Sequence, residues 1–203
     1  MNFELIDNTF QVAVLAITAF FALITALRNR DRFSLILSLS YASFSMGTLF
    51  FLLHLAIRGY TPTEFYVSEV SWLAGWLFCL SFQIARSEGL KIKFSPISMA
   101  GAILISGLIM IFQLFGPSRV VSFSFALTIG ILTYLSLFRL RNHAGLPSDG
   151  AMLVFVLLQL TLYIVSYFIT DYTKFNLYFA IDILLTFSFV SVLPLSLREG
   201  RKR

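Results

Sequence analysis

Apolar residues run along this chain in seven blocks separated by short polar connections, at about 10–27, 33–57, 67–85, 96–115, 120–138, 151–169 and 176–197. A helix needs roughly 17–25 residues to cross the hydrocarbon core. Backbone amides in lipid must bond within their own segment, which selects helices here over barrel strands. The pattern therefore predicts an all-α polytopic membrane protein. Its expected form is a single seven-transmembrane-helix bundle, with residues 1–203 forming one membrane domain and no soluble domain.

The third block carries the clearest internal pattern. Glu69, Trp72, Trp76, Cys79, Gln83 and Arg86 recur at steps of three and four, so they share one helical face. A face that carries a carboxylate, two indoles and an amide has no reason to meet lipid, and the spacing predicts that it points inward. Packing aromatics and a solvated helix end are the plainer alternative. Two further rows, Ser98/Ala102/Ser106 and Ser122/Ala126/Gly130, step by four along the fourth and fifth blocks. Rows of small residues let backbones approach closely, and they predict an antiparallel pair at this point.

Composition fits the pattern: 58% of the 203 residues are hydrophobic, 12% are charged, and 23 are Phe. A net charge of +5 could suggest nucleic acid, but the distribution of the charges argues otherwise. Twelve of the fifteen Lys and Arg fall on one side of the expected spans, and only Arg58, Arg119 and Lys174 fall on the other. The positive-inside bias then places the N-terminus outside and the C-terminus in the cytoplasm. The setting is a plasma membrane, expected to be a bacterial inner membrane, with lipid as a partner and no nucleic acid. The opening Met1–Asp7 is acidic where a signal peptide carries Lys or Arg, so the first block is expected to remain. The connections carry turn chemistry at Gly59, Pro62, Gly116–Pro117 and Gly145.

Asp182 is the one charged residue expected deep inside a segment, about 9–10 Å below the outer boundary at ~1.5 Å per residue. An ionisable group at that depth is a functional candidate by default. By depth alone, Trp76 lies level with it, Trp72 and Glu69 lie above, and Tyr163 rises from Gln159, which is expected as the floor. His54 sits higher, near the outer end of the second block, and Gln113 near that of the fourth. The candidate ligand-binding set is thus Asp182, Trp76, Trp72, Tyr163, Glu69, His54 and Gln159, lining an outward-facing pocket. Two carboxylates and two indoles suit a cationic or hydrogen-bonding ligand. Hydrogen-bonded glue within the bundle is the alternative for Asp182.

Several sharper chemistries drop out. No lysine lies inside a block, and Thr186 stands four residues after Asp182, so a retinal Schiff-base pigment of the microbial rhodopsin kind is excluded. His54 and His143 cannot form a His₃ zinc site or a pair of haem ligands. Cys79 is the single cysteine, so no intrachain disulfide exists. The expectation is of no cofactor, no metal site and no enzyme. In topology alone the bundle resembles the membrane-embedded input regions of bacterial signalling proteins. That implies a sensor-like or receptor-like module with a membrane or cytoplasmic protein partner. A small-solute or proton-coupled transporter, with Asp182 as the titrating group, is the first alternative. The blocks lack symmetric Gly/Pro breaks, which weakens it. An accessory subunit, whose third helix faces another membrane protein, is the second.

Overall fold

The computed structural model describes residues 3–60, 66–90, 94–112, 119–141 and 147–200. Seven helices account for the regular structure there: α1 (Phe3–Asn29), α2 (Arg32–Arg58), α3 (Tyr66–Ser87), α4 (Pro96–Phe112), α5 (Arg119–Arg141), α6 (Pro147–Ser166) and α7 (Leu177–Gly200). All but α4 are long and apolar enough to cross a membrane, as expected of a multi-pass membrane protein. The 17 residues of α4 are equally apolar but fewer. Gln113, Pro62, Gly116–Pro117 and Gly145 lie outside the described residues.

Two helix boundaries differ from expectation, and both matter. α1 begins at Phe3 rather than near residue 10. Glu4, Asp7, Asn8 and Gln11 dilute the hydropathy there, yet they extend a helical stripe. Asp7, Leu15, Ala19, Ala22 and Ala26 are buried on it, each three, four or eight residues from the last. α6 starts at Pro147, where the missing N–H costs nothing, and stops at Ser166. Tyr167 and Thr170 therefore lie beyond the helix, and Tyr167 is exposed.

Side-chain hydroxyls tie neighbouring helices together. Along α2, Ser38 donates to the Ala19 carbonyl of α1 at 2.8 Å and Ser40 to the Gly75 carbonyl of α3 at 2.7 Å. Tyr41 donates to the Phe189 carbonyl of α7 at 3.0 Å. α1, α2, α3, α5, α6 and α7 pack as a closed ring in that order, with α2 also touching α7. α4 docks on the outside of α5 through the two small-residue rows: Ser106 donates to the Ala126 carbonyl at 2.7 Å, and Gly130 lies against Ser106. That antiparallel pair is the one the sequence predicts.

Each end of the ring is fixed by hydrogen bonds. The Phe3 amide donates to the Thr173 carbonyl in the α6–α7 connection, so the start of α1 sits there. At the other end Asp31 caps α2 by accepting from the Phe33 and Ser34 amides. Gly59, in the left-handed region with φ of 77°, closes α2, its amide bonding the Leu55 carbonyl.

Candidate functional site

An aromatic plate divides the ring in two. Phe155 stacks on Phe189 with centroids 4.4 Å apart, and Trp76 stacks on Phe155 at the same separation. Phe44 meets Trp76 and Phe189 edge-on at 5.5 and 5.1 Å. Glycine makes the approach possible: a Cβ at Gly75 would stand 2.5 Å from the Phe44 ring. Such stacks add to the burial of four large rings.

From this plate a cavity of about 530 Å³ opens toward the end that holds the start of α1. Its walls are the inward stripes of α1, α2, α3, α6 and α7, with Phe44, Thr48 and Phe51 from α2. On α6 the stripe runs from Phe155 to Gln159 to Tyr163, and on α3 from Trp76 to Trp72 to Glu69. On α7 it runs from Phe189 through Thr186 to Asp182 and Tyr178. Gln159 is consequently a wall residue one turn above the floor, which is aromatic. Glu4, Asn8 and Gln11 complete the wall from α1, the first two in the part of the chain expected to lie ahead of the first helix. A Cβ on Gly47 would press within 2.7 Å of the Trp72 indole, whose N–H donates to Thr48 at 3.3 Å.

Six of the seven residues singled out in the sequence meet at this cavity. His54 does not: it sits on α2 against Tyr60, ring centroids 5.4 Å apart, with a buried Nε2 that has no partner among the described residues. The α3 stripe is turned inward as its spacing predicts, with Glu69, Trp76, Cys79 and Gln83 all buried. Trp76 is buried and Trp72 is partly buried against the core.

Among the described residues, the cavity wall holds the carboxyl groups of Glu4, Glu69 and Asp182 and no Lys, Arg or His. Asp182 lies against the Asp7 carboxyl and accepts from the Gln11 amide. Two carboxyl groups, one from α1 and one from α7, thus meet beside the cavity. Tyr163 bonds Gln159 and lies within electrostatic reach of both Asp182 and Glu69. Both Glu69 oxygens are buried and find no partner among the described residues. Asp182 is thus not the lone buried acid that the sequence suggests. Asp7 is 3% exposed and Glu69 2%.

Below the plate, a second polar cluster closes the far end. The Asp149 carboxylate accepts from Arg139 Nε at 3.1 and 3.2 Å and lies 3.6 Å from Arg86. Glu199 accepts from Arg86 at 2.8 Å and, at the N-terminus of α6, from the Ser148 amide at 2.8 Å and its hydroxyl at 2.6 Å. Arg86 also donates to Ser148, and Arg139 donates to the Arg86 carbonyl at 2.5 Å. Among the described residues, two cations and two carboxylates from α3, α5, α6 and α7 meet in one buried network. The sequence assigns both arginines to membrane orientation and places Arg86 also on the inward stripe of α3. They lie at the edges of the apolar blocks, where a charge is ordinary, and no spacing links four separate helices. No family model, curated protein or solved structure matches the chain.

Proposed function

We propose that the chain is a membrane-embedded, sensor-like or receptor-like binding module that admits a small molecule to the cavity above the aromatic plate. One observation carries this reading: a cavity of about 530 Å³, lined by convergent polar groups on an aromatic floor, has the size and make-up of a small-molecule site. In this reading all seven helices span a plasma membrane. The arginine-rich end faces the cytoplasm under the positive-inside rule, so the N-terminus and the cavity mouth face out. α3, α6 and α7 each carry both cavity residues and members of the ion network. A shift of these rigid helices on binding would therefore be felt at the cytoplasmic end, where a protein partner could read it.

A second reading is favoured by the closure itself. A cavity open at one end and sealed by an ion network at the other is what a carrier presents in one of its two access states, and the Asp7–Asp182 pair offers a proton site. The two readings separate in one experiment. Purified protein is screened for ligand-dependent thermal stabilisation, and the hits are then tested for flux in proteoliposomes. Stabilisation without flux supports the binding module. Uptake that Asp182→Asn abolishes in folded protein supports the carrier. If no compound stabilises the wild type, the cavity reading fails.

A further inference from the structure

The binding-module reading leaves open which chemical class the cavity takes and which acid meets it. We infer that the ligand is a small organic ammonium ion with an apolar body, and that Glu69 is its counter-ion. This inference rests on the cavity being a ligand site at all.

The carboxyl groups around the cavity are not equivalent. Asp182 already has the Asp7 carboxyl and the Gln11 amide as partners. Glu4 has interactions of its own. Glu69 is different: it is 2% exposed, it belongs to the cavity wall, and neither oxygen has a partner among the described residues. A buried carboxylate without donors is expensive, and the usual remedy is a cation or several hydrogen bonds. Among the described residues, no cationic side chain lines the cavity to supply one. The α3 N-terminus, three residues away at Tyr66, contributes only a partial positive charge.

The neighbourhood fits an ammonium group better than a proton donor of another kind. Trp72, Trp76 and Tyr163 line the same cavity. Aromatic rings attract a desolvated cation that reaches a free face and leave a neutral isostere of the same shape with packing alone. Among the described residues, an anion would meet acids on three walls and no base. The aromatic floor below Trp76 gives an apolar body a place to lie, so an arylalkylamine uses both ends of the site.

The chain supplies its own reporter. Trp72 and Trp76 are its two tryptophans, and both line the cavity. Tryptophan emission of the purified full-length protein is titrated with phenethylamine, its neutral analogue phenethyl alcohol, the anion hydrocinnamate, and choline. The expected result is saturable change with the two cations, and weakening by at least about 30-fold in Glu69→Gln, the cost of removing one partner of a buried charge pair. Asp182→Asn is expected to weaken binding by less than that. Glu69→Gln should melt no lower than wild type, because an unpaired buried carboxylate is gone, so lost binding is not lost folding. If the alcohol binds as tightly as the amine, or if Glu69→Gln binds phenethylamine like wild type, the inference is overturned while the cavity reading stands. Binding of the alcohol or hydrocinnamate without the cations has the same meaning. If none of the four probes changes the emission, the inference falls, and the thermal-shift screen decides separately whether the cavity reading falls with it.

Discussion

Replacing Asp149 with leucine puts the ion network under direct test. The carboxylate is 0% exposed, and its principal donor Arg139 is 1% exposed, so solvent offers little screening to either. Without Asp149 the network holds, among the described residues, two guanidinium groups against the carboxylate of Glu199. Breaking one side of a buried pair costs about 3–5 kcal/mol, because the remaining charge keeps its desolvation cost and loses its partner. For a chain of this length that corresponds to a melting temperature lower by roughly 6–20 °C. The double variant Asp149→Leu/Arg139→Met should recover most of the loss. It leaves Arg86 paired one-to-one with Glu199 and fills the site with apolar groups of similar size. The assay is built into the protein: Cys79 is the only cysteine and is fully buried, so a fluorogenic thiol dye reports unfolding. A single variant that melts within about 1 °C of wild type would refute the reasoning, and so would losses in the double variant that simply add.

Other consequences are nearer the cavity and the caps. Gly75→Ala places a Cβ 2.5 Å from the Phe44 ring and should tilt that ring out of the plate. The expected cost is about 1–3 kcal/mol, with altered emission from Trp76, read by the dye assay and by fluorescence. Asp31→Ala removes the acceptor for two first-turn amides of α2 and should cost about 1 kcal/mol while leaving cavity binding unchanged, as calorimetry or emission titration would show. Tyr41→Phe deletes the hydrogen bond to the Phe189 carbonyl under the plate and should cost roughly 1 kcal/mol in the same melting assay.

How much of this was legible in the sequence depends on what each feature does to a one-dimensional pattern. The α3 stripe was readable because Glu69, Trp72, Trp76, Cys79, Gln83 and Arg86 repeat at helical spacing, and polarity in an apolar block has to turn inward. The α4–α5 contact was readable for a related reason, since small residues at steps of four leave room only for another backbone. The start of α1 was hidden because Glu4, Asp7, Asn8 and Gln11 lower the local hydropathy, the property that marks a span. Those four residues are polar because they line or adjoin the cavity, so the signal that hid the helix was the signal of the site. The aromatic plate left no trace, because among 23 phenylalanines nothing sets Phe44, Phe155 and Phe189 apart. The arginine network was unreadable because its members come from four helices far apart in the chain and join only through the ring packing.

The central claim is that water and small molecules reach the cavity from the outer face. Cysteine accessibility tests it most directly. In a Cys79→Ala background, Gln159→Cys faces the cavity, while Leu157→Cys lies at nearly the same depth on the exposed outer face of α6. A membrane-impermeant thiol reagent added outside intact cells should label position 159 and leave position 157 unmodified in its lipid environment. Labelling of 159 only when the cytoplasmic face is opened, or no labelling of 159 from either side, would contradict the account.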